Sequence, residues 1–189
     1  MEFGILGLEL SGKSTLFSLL TGGHPQTARG RREARVGVAH VPDPRLEALS
    51  AVFKPKKVTP ATVQFVDVPS ITRAGSQALN LPELRVLDGL AIVVRAFPSD
   101  QVPHPEGGVD PARDLELIET ELLLADLRVA EARLERVGKD LVKRKSPELE
   151  LEHQVVERGL RRLEDGWPLR DLDLSADEEK VLKGFTFLS

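Results

Sequence analysis

The sequence predicts an α/β protein in which a mostly parallel sheet, flanked by helices, carries an inserted α-helical coiled-coil hairpin. Two observations indicate this arrangement. In residues 1–109, apolar runs of strand length alternate with helical patterns, an order that favours parallel strands joined by helices. After residue 109, apolar residues recur three and four positions apart in a strongly charged stretch, which is typical of long amphipathic helices.

A strand, a glycine-bearing loop and a helix open the chain. Residues 3–8 form a short apolar run without helical period, and Gly7 and Gly12 bracket the loop that follows. Residues 14–20 then have helical spacing, which ends at Gly22 and Gly23. This unit places a glycine-bearing turn between a buried strand and the N-terminus of a helix.

The rest of the first domain repeats strand and helix signals. Asp43 and Pro44 are an acidic cap and a proline at the first position of a helix. Stretches without an apolar pattern are predicted to be exposed loops, at 24–35 and 69–82. β-Branched and apolar runs predict three further strands, at 36–41, 62–68 and 90–97.

The second part of the chain predicts two long helices in an antiparallel hairpin. The apolar positions run from residue 114 to about residue 145, where Lys145-Ser146-Pro147 breaks the pattern, and a second helix returns through residue 163. Trp167 is expected to pack the base of the hairpin against the sheet, and Ser175 begins a capping box for a short third helix. We therefore predict a nucleotide-binding α/β domain at 1–109, a helical hairpin insertion at 110–168 and a return to the first domain at 169–189.

Composition excludes several classes of protein. The chain has 189 residues, a net charge of −4 and no cysteine, so disulfides, thiol nucleophiles and cysteine-bound zinc are excluded. The four histidines do not pair at metal-ligand spacing. The acidic charge argues against coating nucleic acid by bulk attraction, and no feature predicts DNA sequence recognition. Without an apolar run of membrane-spanning length or a secretory leader, the expected location is the cytoplasm.

The first loop carries a phosphate-binding motif. Residues 7–14, GLELSGKS, match G-x-x-x-x-G-K-S/T between a predicted strand and a predicted helix. Glycines let the backbone N–H groups of such a loop point at phosphate oxygens, and the helix N-terminus adds its dipole. We expect Lys13 to reach the β- and γ-phosphates and Ser14 to bind Mg²⁺. The predicted phosphate-binding residues are Gly7, Leu10, Ser11, Gly12, Lys13, Ser14 and Thr15.

Asp67 is the candidate for a second magnesium ligand. A phosphate loop of this kind needs an acidic residue to hold the metal, and Asp67 ends a predicted apolar strand, where a sheet presents groups to a phosphate site. A strand-ending turn former is the alternative role for this residue. The expected cofactors are Mg²⁺ with ATP or GTP.

Motifs along the whole chain resemble the Obg-like ATPase (YchF) family of P-loop GTPase-type proteins. The resemblance implies a GTPase-like domain with a helical arm, work associated with the ribosome or translation, and a preference for ATP. The charge pattern of the hairpin alone indicates a solvated coiled coil, whereas the resemblance implies that it binds ribosomal RNA or a protein partner. Besides the phosphate loop, the matching segments are VPDPRL at 41–46, FVD at 65–67, GGVDPA at 107–112, DLELIETEL at 114–122, LADL at 124–127, PLR at 168–170 and LDLS at 172–175.

The chain departs from that family in both switch regions. Where the family has D-x-x-G after the third strand, Asp67 is followed by Val68, Pro69 and Ser70, and the next residue is Ile71. The threonine expected shortly before Gly37 is absent, and the second switch is shortened. These departures leave two functions open: a weak or partner-dependent nucleoside triphosphatase, or a non-hydrolysing interaction module whose hairpin binds its partner.

Two further expectations follow from the sequence. The base-reading segment of the family lies beyond residue 189, so the sequence does not choose between ATP and GTP, nor between a fragment and a naturally short relative. The arginines at 29–32, with Arg35, predict a solvated basic loop, with contact to RNA or nucleotide phosphates as the alternative.

Overall fold

The computed structural model describes residues 1–23, 34–71 and 81–189, which fall into two compact units. The first unit comprises Met1–Arg73 and Leu87–Pro111, and the second comprises Ala74–Val86 and Ala112–Ser189. Residues 169–189, expected to return to the first domain, thus lie in the second unit. The basic loop at 29–32 and the shortened second switch at 72–76 lie outside the described residues.

In the described residues, a four-stranded sheet forms the centre of the first unit, in the order β2 (Arg35–His40), β3 (Thr62–Asp67), β1 (Glu2–Leu6) and β4 (Gly89–Ile92). β1 runs parallel to both of its neighbours, β3 and β4, whereas β2 is antiparallel to β3. The prediction of a mostly parallel sheet is therefore confirmed.

In the described residues of the first unit, the strands are accompanied by the helices α1 (Lys13–Leu20) and α2 (Pro44–Phe53). α1 packs on the sheet through buried Phe17, and a Cβ at Gly37 of β2 would lie only 2.8 Å from the Phe17 ring. This contact explains a glycine inside a strand. α2 starts as predicted, because the Asp43 side chain accepts a hydrogen bond from the Arg45 backbone N–H at 3.0 Å.

β4 is shorter than the predicted strand at 90–97. Its pairing with β1 ends where the Val93 N–H donates to the Leu6 carbonyl at 2.7 Å, because β1 leaves the sheet after Leu6. Arg95 is then buried and donates to the carbonyls of Phe97, at 3.1 Å, and Val102, at 2.9 Å. These bonds fold residues 95–103 into a loop around the guanidinium group instead of extending the strand.

The second unit is helical, as the spacing predicts. Its core contains Ala130, Val156, Leu163 and Leu169. The Ser146 side chain caps the helix that begins at Pro147 by accepting from the Leu149 N–H at 3.2 Å. Trp167 is 58% exposed and lies beneath the Arg162 guanidinium of the same unit. The helices are α3 Leu81–Leu84, α4 Pro111–Lys143, α5 Pro147–Glu164 and α6 Ala176–Lys183, with a 3₁₀ helix at Leu169–Asp171.

A buried carboxylate ties distant segments of the second unit together. Asp126 on α4 is fully buried, and its Oδ1 lies 2.9 Å from an Arg85 guanidinium nitrogen. The backbone N–H groups of Leu188 and Ser189 both donate to its Oδ2 at 2.7 Å. A buried charge is tolerated only when it is paired and hydrogen-bonded, and these partners meet that requirement.

No helix in the described ranges, residues 1–23, 34–71 and 81–189, combines the length and apolar character that crossing a membrane demands.

Removing the cap of α6 should weaken the second unit. The predicted capping box is present: the Ser175 side chain accepts from the Glu178 N–H, and the Glu178 carboxylate accepts from the Ser175 N–H at 2.8 Å. The Ser175→Ala variant should therefore lose about 1 kcal/mol of unfolding free energy, measured by denaturant unfolding. An unchanged midpoint would contradict this role for Ser175.

The acidic half of the same box predicts a pH dependence. The Ser175 N–H and then Arg158 lower the pKa of Glu178 to about 2. Because this pKa is lower than that of an unfolded glutamate, the stabilisation is full above the unfolded pKa and is lost as pH falls through about 2. The stability deficit of Glu178→Gln should therefore be largest at neutral pH and shrink below about pH 4, as thermal unfolding at several pH values would show. A deficit that does not vary with pH would argue against this coupling.

Candidate functional site

The loop between β1 and α1 has a backbone shape that its sequence favours. Gly12, the N-cap of α1, has φ 101° in the left-handed region, where a side chain would be strained. Leu10 also has a positive φ, 62°, in the same loop. Together these residues turn the chain back so that Lys13 becomes the first residue of the helix.

Gly7 is required by a close approach between two backbone segments. A Cβ at this position would lie 2.3 Å from the Val93 carbonyl oxygen and 2.9 Å from Ser11 Oγ. No side chain fits in that space. The end of β4 therefore supports the loop directly, and the first glycine of the motif allows this contact.

Lys13 lies inside the loop with its ammonium group held by two oxygens. It is 5% exposed and donates to the Leu8 carbonyl at 3.2 Å and to Ser70 Oγ at 2.7 Å. Burial lowers the pKa of Lys13, and the nearby carboxylates of Asp67 and Glu9 oppose that change. The result is a cation directed into the loop by acceptors from two segments of the chain.

Ser14 and Asp67 lie in direct contact, as a shared metal site would require. Ser14 Oγ donates to Asp67 Oδ2 at 2.8 Å, and Asp67 is 5% exposed at the end of β3. The other carboxylate oxygen, Oδ1, is buried without a hydrogen-bond partner in the described part of the chain. A hydroxyl beside a carboxylate with an unsatisfied buried oxygen is a donor set that fits Mg²⁺, which prefers oxygen ligands.

The other predicted phosphate residues occupy different environments. Ser11 Oγ is buried and has no partner among the described residues, and the Ser11 N–H donates to the Leu8 carbonyl at 3.4 Å. Leu10 is half-buried, and Thr15 is exposed on the first turn of α1. The structure thus brings Lys13, Ser14 and Asp67 together inside the loop, while Thr15 lies at its surface.

Sequence reasoning treated Ser70 only as a departure and missed its contact with Lys13. The segment after β3 runs beside the loop: the Ile71 N–H donates to the Gly7 carbonyl at 3.2 Å, and Leu8 and Ile71 form a parallel bridge. The position of Ser70, three residues after Asp67 at the end of a central strand, is the signal that could have indicated proximity to the loop.

The described residues show no other constellation suited to metal chemistry. Across 1–23, 34–71 and 81–189, no three histidine or acidic side chains gather closely enough to hold an ion. The site thus depends on the loop, Ser14 and Asp67.

A central parallel strand that passes through such a loop into a helix is the architecture of the P-loop NTPases, and this is the class to which the fold belongs. The structure of the Schizosaccharomyces pombe YchF GTPase superposes with a TM-score of 0.79 at 29% identity, covering 99% of this chain and 53% of that chain. No protein-family model matches the sequence.

The sequence is also similar to curated proteins from bacteria and plants. The ribosome-binding ATPase YchF of Pasteurella multocida is 37% identical over 194 residues, covering 98% of this chain and 53% of the relative. The protein of the same name from Bacillus subtilis is 34% identical over the same coverage, and Obg-like ATPase 1 of Oryza sativa subsp. indica is 33% identical over 200 residues, covering 100% of this chain and 50% of the relative.

The chain therefore belongs to the Obg-like ATPase (YchF) family. It spans about half the length of the curated relatives it matches.

The approach between Gly7 and Val93 makes a direct prediction about stability. The Gly7→Ala variant must displace backbone, because the new Cβ would lie 2.3 Å from a carbonyl oxygen, and should lose about 1–3 kcal/mol of unfolding free energy. Gly138→Ala is the matched control: nothing lies within 4 Å of its Cβ on α4, so it should gain about 0.5–1 kcal/mol. Denaturant unfolding measures both variants, and equal effects would refute the steric argument.

Proposed function

We propose that this chain binds a nucleoside triphosphate together with Mg²⁺ on the loop formed by residues 7–14. The observation that carries the proposal is the placement of Lys13, Ser14 and Asp67. The lysine ammonium is buried in the loop, and the serine hydroxyl touches the aspartate 2.8 Å away. A cation, a hydroxyl and a carboxylate in this arrangement suit a phosphate group bridged by a metal ion.

Each residue then has a separate role. Backbone N–H groups of residues 10–15, among them Leu10, Ser11 and Gly12, would surround the phosphates, and the N-terminus of α1 adds its dipole. Lys13 would neutralise charge on the β- and γ-phosphates, while Ser14 and Asp67 would hold Mg²⁺. When bound, the metal supplies charge neutralisation on those phosphate oxygens.

We infer that hydrolysis on this site is slow or depends on a partner. Efficient hydrolysis requires a group that orients the attacking water. Ile71 follows Ser70 at the position where a Ras-type protein would place its glutamine, and it is 4% exposed with an apolar side chain. Its side chain offers no hydrogen bond to water, so at this position the described part of the chain supplies no water-orienting group.

We propose a role in translation on the basis of the relatives. The bacterial relatives are named ribosome-binding ATPases. Association with the ribosome would put this protein in the cytoplasm. The hairpin of α4 and α5 is the surface proposed to bind ribosomal RNA or a protein partner.

A second function is favoured by Ser70 and Ile71. The Ser70 hydroxyl already accepts a hydrogen bond from the Lys13 ammonium group, and Ile71 is buried and apolar. A non-hydrolysing interaction module, in which the nucleotide is absent or structural and the hairpin binds its partner, is therefore the alternative. It differs from the first proposal in requiring no magnesium-dependent nucleotide binding.

Removing the lysine should abolish binding. Lys13→Ala deletes the buried cation, so calorimetric titration with ATP or GTP in the presence of Mg²⁺ should show no measurable binding, whereas the unaltered chain binds. Lys56→Ala, at an exposed lysine of the same unit, is the matched control and should leave affinity unchanged. If Lys13→Ala binds the nucleotide as tightly as the unaltered chain does, the proposed site is refuted. If the unaltered chain binds no nucleotide, the interaction module is favoured.

The rate of nucleotide hydrolysis tests whether the chain is slow on its own and whether a partner accelerates it. With Mg²⁺ and saturating ATP or GTP, the chain alone should hydrolyse below about 10⁻² s⁻¹, the upper end of the intrinsic rates of GTPases without an activating partner. Phosphate release assayed with and without ribosomes measures the partner effect. A fast rate of hydrolysis without any partner would contradict the inference that hydrolysis is slow because Ile71 cannot orient the attacking water.

A further inference from the structure

The hydroxyl of Ser70 is in direct contact with the ammonium group of the loop lysine, Lys13. Lys13 Nζ donates to it at 2.7 Å, a shorter contact than the 3.2 Å bond to the Leu8 carbonyl. Short contacts of this kind, with a charged donor, are the stronger class of hydrogen bond. The bond joins residues 57 positions apart in sequence.

The backbone holds Ser70 at this position. The Ile71 N–H donates to the Gly7 carbonyl at 3.2 Å, the Val68 N–H donates to the Ile5 carbonyl at 3.4 Å, and both Val68 and Ile71 are buried. Ser70 lies between these two anchored residues. Its placement beside Lys13 therefore comes from the sheet and the loop, and its side chain is half-buried at the edge of the site.

A serine hydroxyl has more than one hydrogen-bonding role. It accepts through its lone pairs and still has one proton to donate. In this structure the acceptor role is filled by Lys13. A phosphate oxygen bound to the same ammonium would lie next to the hydroxyl, so the Ser70 proton has an acceptor within reach.

The position of Ser70 selects which phosphate it meets. It follows Asp67, the proposed metal ligand, by three residues, and it touches the end of Lys13, which would reach the β- and γ-phosphates. The α-phosphate side of such a site is formed by the backbone at the start of α1, whereas the hydrogen bond of Ser70 is to the end of the Lys13 side chain. The hydroxyl is therefore at the terminal-phosphate end.

We propose that Ser70 is a specificity-determining residue of the phosphate site: its hydroxyl accepts from Lys13 and donates to the terminal phosphate of a nucleoside triphosphate. The inference rests on the proposed function and deepens it. A nucleoside diphosphate lacks the phosphate that Ser70 contacts, so the hydroxyl favours triphosphate over diphosphate.

Affinities for ATP, ADP, GTP and GDP, each titrated with Mg²⁺, test this assignment. Ser70→Ala removes a hydrogen bond to a charged group and should weaken triphosphate binding about tenfold or more, with diphosphate affinity within about twofold of the unaltered chain. Ser70→Thr keeps the hydroxyl and should restore the preference. Ser70→Cys, of similar size but a weak donor, should behave like alanine. Ser50→Ala, on α2 of the same unit, is the matched control and should change neither affinity.

The outcomes separate the two proposals. If the unaltered chain binds both nucleotides and Ser70→Ala lowers both affinities equally, Ser70 is only structural and the inference is overturned. If triphosphate binding becomes tighter, Ser70 competes with phosphate for Lys13, which also overturns it. If the unaltered chain binds no nucleotide with Mg²⁺, the proposed function fails, and the Ser70 assignment fails with it.

Discussion

A buried ammonium group must be compensated, and the architecture of the first unit follows from the compensation of Lys13. Moving a charge out of water is costly unless hydrogen bonds and opposite charge replace the lost hydration. The Leu8 carbonyl, Ser70 Oγ and the Asp67 carboxylate supply these partners from two segments, the loop after β1 and the end of β3 with the residues that follow it. They come together only because β1 and β3 are parallel neighbours whose carboxyl ends meet at one edge.

The same edge explains why the backbone around the loop is so restricted. Gly7 must lack a side chain because β4 ends against it, and Gly12 must adopt a left-handed conformation for α1 to begin at Lys13. Ile71 then closes the other side of the loop through its bond to the Gly7 carbonyl. A rigid loop of this kind holds polar groups in place before any ligand arrives, which lowers the cost of ordering them on binding.

Much of the fold was predictable because its signals are local. The hairpin follows from the spacing of apolar residues on α4 and α5, and two helix starts follow from Asp43 and Ser175. The sequence was less informative where a side chain had two possible partners. The run at 90–97 is apolar enough for a strand, but Arg95 gathers carbonyls of the following loop and ends it. Trp167 suggested a core contact, whereas the turn after α5 leaves it exposed beneath Arg162.

The sequence by itself determined the order of strands and helices, the loop motif from Gly7 to Ser14 and the candidacy of Asp67, since each depends on neighbours within a few residues. Only the tertiary structure determined that Asp67 touches Ser14 and that Ser70 touches Lys13. Those pairs are separated by 53 and 57 positions in sequence. Their contact depends on the strand order and register of the sheet, because hydrogen bonds act over about 3 Å and a shift of one residue would point these side chains elsewhere.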